Sequence, residues 1–365
     1  MIVSKTNKTN NYFRATFLLF VLCTSLTVCA ENGVGKFFRR LGTAIDTLTV
    51  KGVDRRYIQA PEKPWQIMVK GNANEVKMNM ETVFEDGDFN YKWGSKISTG
   101  VGKSLGGWIG YRGYGLGYQV TMGEQKGSNF NIGLGGSKYT LRLSIRKFKT
   151  EETDIHFRGN LPDIEDSKFD DRLKMEMDEP IRVSSILLDG YYMFNGKHFS
   201  NTAGYDQSTI QMRSAGSFIV GASWLNASID YSANMNTFFV IMMNNCGRIR
   251  INQVNIGAGY AYNWVPCKGL LVNAMFMPTI TPYSQLKVWN YDFDENDNYE
   301  YKSSDVNYSY SRIKVNLCSW VTLVYNYKDW FATAKGQWNQ FSYKRNDSNG
   351  RLSDWYLNVG IGWRF

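Results

Sequence analysis

The last fourteen residues, Leu352 to Phe365, constrain the fold more than any other stretch. Their odd positions are Trp355, Leu357, Val359, Ile361, Trp363 and Phe365, and their even positions are Asp354, Tyr356, Asn358, Gly360, Gly362 and Arg364. Side chains of a strand point alternately to opposite faces, so the segment has one apolar face and one polar or small face. A soluble β-sandwich shows the same alternation. An aromatic residue at each end of the apolar face, and an aromatic last residue, instead match a lipid-facing strand of a transmembrane barrel with a girdle at each interface. Trp363 and Phe365 are therefore the expected insertion signal, read by the barrel-assembly machinery.

Similar alternation recurs from Trp65 onward. It predicts strands near 65–83, 94–101, 108–122, 129–136, 139–149, 183–194, 198–206, 213–224, 229–242, 249–264, 270–286, 308–325, 330–342 and 352–365. In one of them Tyr114, Leu116, Tyr118, Val120 and Met122 oppose Gly113, Gly115, Gly117, Gln119 and Thr121. The fold class expected is all-β: a transmembrane antiparallel up-and-down barrel of about 14 strands, with 12 as the alternative. If both ends lie in the periplasm, the acid-rich segments 150–182 and 287–307 become outer loops, together with 84–93, 123–128, 207–212, 243–248 and 343–351. The inner turns become 102–107, 137–138, 195–197, 225–228, 265–269 and 326–329.

Composition supports this class. Proline is scarce at seven residues, with none between Pro64 and Pro162 or after Pro282, as paired strands require. Mean hydropathy is −0.37, and the greasiest internal run, Phe238 to Met243, is too short for a helical span. A membrane protein with these values has to cross with strands, whose lipid face uses alternate residues only. Lys5, Lys8 and Arg14, the apolar run from Phe17 to Cys23 and Val28-Cys29-Ala30 read as a signal peptide over 1–30. Lipidation at Cys29 is the lesser alternative. The formal charge is +9, and +6 once those three cations leave with the leader. No basic block accompanies it, which excludes nucleic acid as a partner. Residues 31–64 are expected to form a periplasmic segment. In it Val34, Phe37, Phe38, Leu41, Ile45 and Leu48 share one helical face, and 49–64 form an irregular connector before the barrel domain, 65–365.

One motif is more specific than periodicity. Tyr191-Tyr-Met-Phe194-Asn195-Gly-Lys197-His-Phe199-Ser200, followed by Gln207, Gln211 and Ser214-Ala-Gly216-Ser217, resembles the central motif of a Bacteroides-type outer-membrane β-barrel family known as a domain of unknown function (DUF4421). Gly110 to Tyr118 and Gly257 to Trp264 add to the resemblance, which spans Tyr57 to Phe365. It implies an exported barrel in the outer membrane, in contact with lipid and lipopolysaccharide, and carries no activity. On physical grounds Asn195-Gly196 suits a tight type I′ turn, and Gly216 a close approach between strands.

Chemistry is thinly represented. His156 and His198 are the only histidines, which makes a weak metal case. His198 and Ser200, two apart on a predicted strand, are the nearest approach to a hydrolytic pair, without a visible orienting group. The 292–297 stretch lacks the glycine and closing glutamate of a calcium loop. We therefore expect no catalytic residues, metal or cofactor. Cys246, Cys267 and Cys318 remain after the leader, and Cys246 and Cys267 are placed at opposite rims, too far apart to bridge. Arg142, Arg146, Arg312, Lys314, Lys335 and Arg364 are expected to face the lumen, where fixed cations favour a small anionic solute unless carboxylates pair with them. The functional expectation is a passive pore or small-ligand channel. A non-conducting structural, adhesive or assembly barrel acting through its acidic loops is the alternative, and a surface hydrolase a remote one.

Overall fold

The computed structural model describes residues 52–86, 89–123, 125–160, 168–234, 246–293, 299–309, 315–345 and 348–365. The leader, Cys29, the predicted helix, Arg312, Lys314 and most of the 292–297 stretch fall outside these residues.

The elements in chain order are β1 (Ile58–Gln59), β2 (Trp65–Asp86), β3 (Phe89–Ser98), β4 (Gly102–Tyr111), β5 (Tyr114–Met122), β6 (Lys126–Gly135), β7 (Tyr139–Asn160) and β8 (Lys168–Met193). A short helix α1 (Asn201–Tyr205) and β9 (Ile210–Gln211) follow, then β10 (Ala215–Asp230), β11 (Cys246–Cys267), β12 (Leu270–Phe293), β13 (Tyr299–Ser309), β14 (Val315–Tyr327), β15 (Trp330–Arg345) and β16 (Ser348–Arg364). Twelve strands close an antiparallel barrel in the circuit β2, β4, β5, β6, β7, β8, β10, β11, β12, β14, β15, β16 and back to β2. Backbone bonds between Trp65 and Phe365 in both directions, 3.2 and 2.9 Å, fasten the seam.

Twelve strands replace the expected fourteen for identifiable reasons. The predicted strand 108–122 is a hairpin: Arg112 and Gly113 both adopt positive φ and turn β4 into β5. The predicted strand 198–206 holds α1, and 225–228 and 102–107 are not turns but lie within β10 and β4. β3 continues the wall position of β4 along β2 and crosses to β7 above the short β5–β6 hairpin. β13 likewise continues β14 along β12. The expected acid-rich outer loops are largely strand as well. β7 runs to Asn160, β8 starts at Lys168, and His156 lies in β7 opposite Lys96.

On the outside the predicted faces appear. Trp355 to Phe365 on β16 and Val254 to Trp264 on β11 project their alternate apolar residues outward, with Val359 51% and Ile361 63% exposed. Each row spans ten residue steps, about 33 Å along a strand and about 25 Å in height at a tilt of about 40°. That matches the hydrocarbon-facing band of a membrane barrel. Trp363 stacks on Phe365 at 5.3 Å and meets Trp330 at 6.3 Å on the rim that carries both barrel ends. Trp355 marks the other edge, its indole donating to Glu75 at 2.8 Å.

Past Val254 and Trp355 the two faces exchange character. On β10 the inward residues become Leu225, Ala227 and Ile229, while Asn226 and Asp230 face out and Ser228 between them is covered by Arg248, which donates to its hydroxyl. Inward apolar residues of β2, β7, β8, β10, β11, β12, β15 and β16, among them Phe148, Phe341 and Leu352, form one packed cluster. A bulge in β12, where Thr281 and Pro282 are accommodated between the Val254–Tyr283 and Ile256–Ile280 pairs, shifts the inward parity to Leu286 and Val288. Opposite walls touch there, and the lumen is closed by apolar contact.

Candidate functional site

At the terminal rim the lumen is closed by a different device. The chain between β8 and β10, residues 194–214, does not make the expected tight turn, and neither Asn195 nor Gly196 takes the positive φ of a type I′ pair. Asn195 instead opens an insert: its backbone carbonyl accepts from His198 and Phe199, and its side chain donates to the Gly216 carbonyl at 2.8 Å. The insert folds back inside the barrel and buries Phe199, Ser200, Asn201, Thr202 and Ala203. Residues 207–212, expected in an outer loop, belong to this insert. β9 pairs with β1, so part of the predicted irregular connector is ordered against it.

Burying polar backbone in a lumen is tolerable only if partners are supplied. The wall supplies them from several sides. Asn263 on β11 donates to the Ser200 carbonyl at 2.8 Å and to Gln211 Oε1 at 2.9 Å, and Asn273 on β12 orients it at 2.7 Å. Gln66 on β2 donates to the Asp206 carbonyl, Asn201 donates to Thr140 on β7 at 3.1 Å, and Arg364 on β16 donates to the Gln207 carbonyl at 3.0 Å. Gly135 and Gly204 carry no side chain because a Cβ would strike Thr202 at 2.4 Å and Asn273 at 2.7 Å. The glycine-rich inner face likewise makes room: Gly115, Gly117 and Gly133 accommodate the ring of Trp108, and Gly257 and Gly259 the Met277 region. Gly216 approaches a strand closely, as expected, since a Cβ would meet the Tyr260 hydroxyl.

His198 and Ser200 are not brought together. The Ser200 hydroxyl bonds Thr202 at 3.0 Å and Thr209 at 2.7 Å, whereas the His198 ring faces Asn195, Asp54 at 3.6 Å and the Tyr57 ring. Asp54 is held well below the usual carboxylate range by hydrogen bonds from Arg56. Of the other motif residues, Phe194 is exposed on the rim, Lys197 gives its carbonyl to Asp54, Gln211 ties His198 to Arg213, and Ser214 accepts from Val265. Cys246 and Cys267 stand at opposite ends of β11 and are unbridged, as is Cys318.

Between the two closures lies a cavity of about 100 Å³. Its floor is Gly204 to Gln207 of the insert, and its walls include Lys70, Trp108, Arg142, Arg146, Lys335 and Tyr356. Arg142 pairs with Asp189 at 2.7 Å and donates to Tyr356 at 2.8 Å and Gln337 at 3.3 Å. Arg146 grips Asp354 with two bonds, 3.0 and 3.3 Å. Of the four described cations expected in the lumen, Arg142 and Arg146 are thus neutralised, and Arg364 serves the insert while its guanidinium lies 4.5 Å from the Phe331 ring centroid.

Lys335 differs. It is 8% exposed, with no carboxylate at ion-pair distance among the described residues, and its ammonium lies 4.2 Å from the Tyr205 ring centroid and 4.9 Å from that of Trp320. Lys70, over the Trp108 ring at 4.6 Å, likewise has no carboxylate at ion-pair distance among the described residues. Lys335 is among the cations expected in the lumen; Lys70, which follows Gln66 and Met68 on the inward face of β2, is not. Around them the buried atoms Asn72 Oδ1, Asp206 Oδ2, Gln207 Oε1, Thr322 Oγ1 and Asn339 Nδ2 have no hydrogen-bond partner. Burial pushes the Asp206 carboxyl above its ordinary value. No group of three or more histidine, cysteine or acidic residues that could hold a metal occurs among the described residues.

No curated protein matches the sequence. Solved structures with a similar course include the translocator domain of the autotransporter NalP from Neisseria meningitidis, at 9% identity over 94% of this chain and 98% of that one, TM-score 0.33. The outer membrane protease OmpT from Escherichia coli matches at 10% identity over 84% and 97%, TM-score 0.31. The Pseudomonas putida toluene transporter TodX matches at 11% identity over 84% and 90%, TM-score 0.29. The family model for the Domain of unknown function (DUF4421) matches residues 52–365, which is the whole barrel with its insert, and the chain belongs to that family.

Proposed function

We propose that this protein is an outer-membrane β-barrel acting as a small-ligand channel, closed at one end by its own insert and at the other by apolar contact. The chamber between them takes a small anionic solute. The observation that carries this is Lys335, a buried cation without a carboxylate partner among the described residues, facing a cavity into which five further buried polar atoms project without a hydrogen-bond partner. Unpaired buried charge is costly, so such an arrangement is kept where an anion can supply the missing partner. The apolar band about 25 Å high supports placement in a bilayer. Export by the 1–30 leader, delivery by the barrel-assembly machinery through Trp363 and Phe365, and contact with outer-membrane lipid complete the reading. Of the two expected forms, passive pore and small-ligand channel, the closures favour the second. Ser200 and His198 serve the insert, so we assign no catalytic step.

Conductance in planar bilayers tests this. Refolded wild-type protein should insert and carry no steady current. Replacing 196–213 by a short Gly-Ser link, with Phe148→Ala and Phe341→Ala, should open an anion-selective path, and Lys335→Gln in that background should lower its selectivity. Steady wild-type current would refute the closures, and unchanged selectivity would refute the role of Lys335. The packed far end also favours a second reading, a non-conducting structural barrel, which gains if the opened chain stays silent.

A further inference from the structure

Outside the barrel, just beyond the apolar band, the cross-strand registers line up two rows of side chains over adjacent strands. The first row is Lys149, Arg182, Asp230, Arg248 and Trp289, on β7, β8, β10, β11 and β12 in turn. The second is Lys147, Ser184, Ser228, Arg250 and Lys287 on the same strands. Their immediate chain neighbours Phe148, Ile181, Val183, Ile249, Leu286 and Val288 are buried inside, so these rows face out. The two rows hold six cations and one carboxylate among the described residues, and Asp230 lies 3.9 Å from Arg248.

Two of the registered pairs set like charges directly opposite one another, Lys149 with Arg182 and Arg250 with Lys287. Such pairs are destabilising in a sheet. The cations of β11 and β12 also converge on one indole: Arg248, Lys287 and Arg250 lie 4.6, 5.0 and 5.8 Å from the Trp289 ring. On the opposite wall at the same level β15 and β16 present Gln340, Ser342, Ser353 and Arg351, so the charge is concentrated on one side.

Height identifies the ligand. Arg250 is four residues beyond Val254, the last apolar residue of the band on β11, or about 13 Å along the strand and about 10 Å in height. Long cationic side chains at that level can bend back to the interface. We infer that this collar binds the phosphate groups of outer-leaflet lipid, with Arg248 and Arg250 as forked donors and Lys287 as a point charge. The inference rests on the bilayer placement proposed above and is independent of the lumen.

The full chain, refolded in neutral detergent micelles, is titrated with diphosphorylated lipid A and with its dephosphorylated form, reading the quenching of tryptophan fluorescence. Diphosphorylated lipid should bind at least tenfold more tightly, with an affinity that falls as salt rises. Arg250→Gln with Lys287→Gln should remove at least tenfold of that affinity, Lys149→Gln with Arg182→Gln a smaller factor, and Arg351→Gln none. Equal binding of the two lipids, or an unaffected Arg250→Gln/Lys287→Gln protein, would overturn the inference. Inorganic pyrophosphate competing at the affinity of the lipid would assign the collar to a soluble anion and overturn the lipid source. Insertion into neutral phosphatidylcholine vesicles reads the placement separately: failure there refutes the bilayer, whereas insertion without phosphate preference refutes the collar alone.

Discussion

Replacing Asp189 with Asn keeps the shape of the side chain and removes one charge from the middle of the lumen. Its partner Arg142 has 7% of its side chain exposed and Asp189 2%, so neither ion can turn to water. At 2.7 Å the direct attraction is about 6 kcal/mol for an effective dielectric constant of about 20. Breaking a buried pair by removing one partner typically costs about 3–5 kcal/mol. Arg142 keeps its bonds to Tyr356 and Gln337, which favours the lower end. Asp189 also offsets the charge of Lys335, which raises the cost again. We therefore expect a loss of about 4 kcal/mol, measured as the shift in the denaturant midpoint of the refolded barrel in detergent. The double variant Arg142→Met/Asp189→Leu should lose less than about 1.5 kcal/mol, because an apolar pair of similar volume leaves no uncompensated ion. A loss below about 1 kcal/mol for Asp189→Asn alone would mean that Arg142 is solvated in the chamber, and the picture of a closed lumen would fail with it.

Three further outcomes follow from the same contacts. Gly133→Val should cost about 2 kcal/mol or more, because its Cβ would lie 2.8 Å from the Trp108 ring and overpacking typically costs 1–3 kcal/mol; Trp108→Ala in the same chain should recover part of the loss, read by the same denaturation. Asn263→Ala removes the donor to Ser200 and Gln211 and should loosen the insert by about 1–3 kcal/mol, seen as faster hydrogen exchange across 199–211 while the wall strands stay protected. Asp206, whose folded carboxyl sits above its unfolded value because burial disfavours the ion, carries a cost above its folded pKa. That cost is relieved as the pH falls through the folded value towards the unfolded one. Stability should therefore gain a component on mild acidification that Asp206→Asn abolishes, and an unchanged pH profile in that variant would refute the assignment.

The parts of this fold that could be read in the sequence are those where the two faces of a strand meet different solvents. On β16 an apolar outer face and a polar lumen leave a plain period of two, and parity alone places Arg142, Arg146, Lys335 and Arg364 on the inner face. The insert escaped because its burial is polar: Ser200 and Gln207 enter the lumen by bonding to the wall, at Asn263 and Arg364, and Thr202 by bonding to Ser200 and Thr209 within the insert, and hydrogen-bonded burial leaves no hydrophobic pattern. The far third of the barrel escaped for a complementary reason. There the outward apolar band has ended, so charged residues face out and apolar ones in, as in a soluble barrel. Arg182 and the residues past Lys149 then look like loop residues, although Phe148, Ile181 and Val183 keep strand alternation with the sign reversed. Apolar-out alternation on β16 and β11 ends at Trp355 and Val254, and the expected strands reach only a few residues past them, to 352 and 249, short of the observed starts at Ser348 and Cys246. Allowing the sign to invert at an aromatic girdle would extend β7, β8, β10 and β11 to their observed lengths and would mark, in the same step, where a lumen closes by packing against itself.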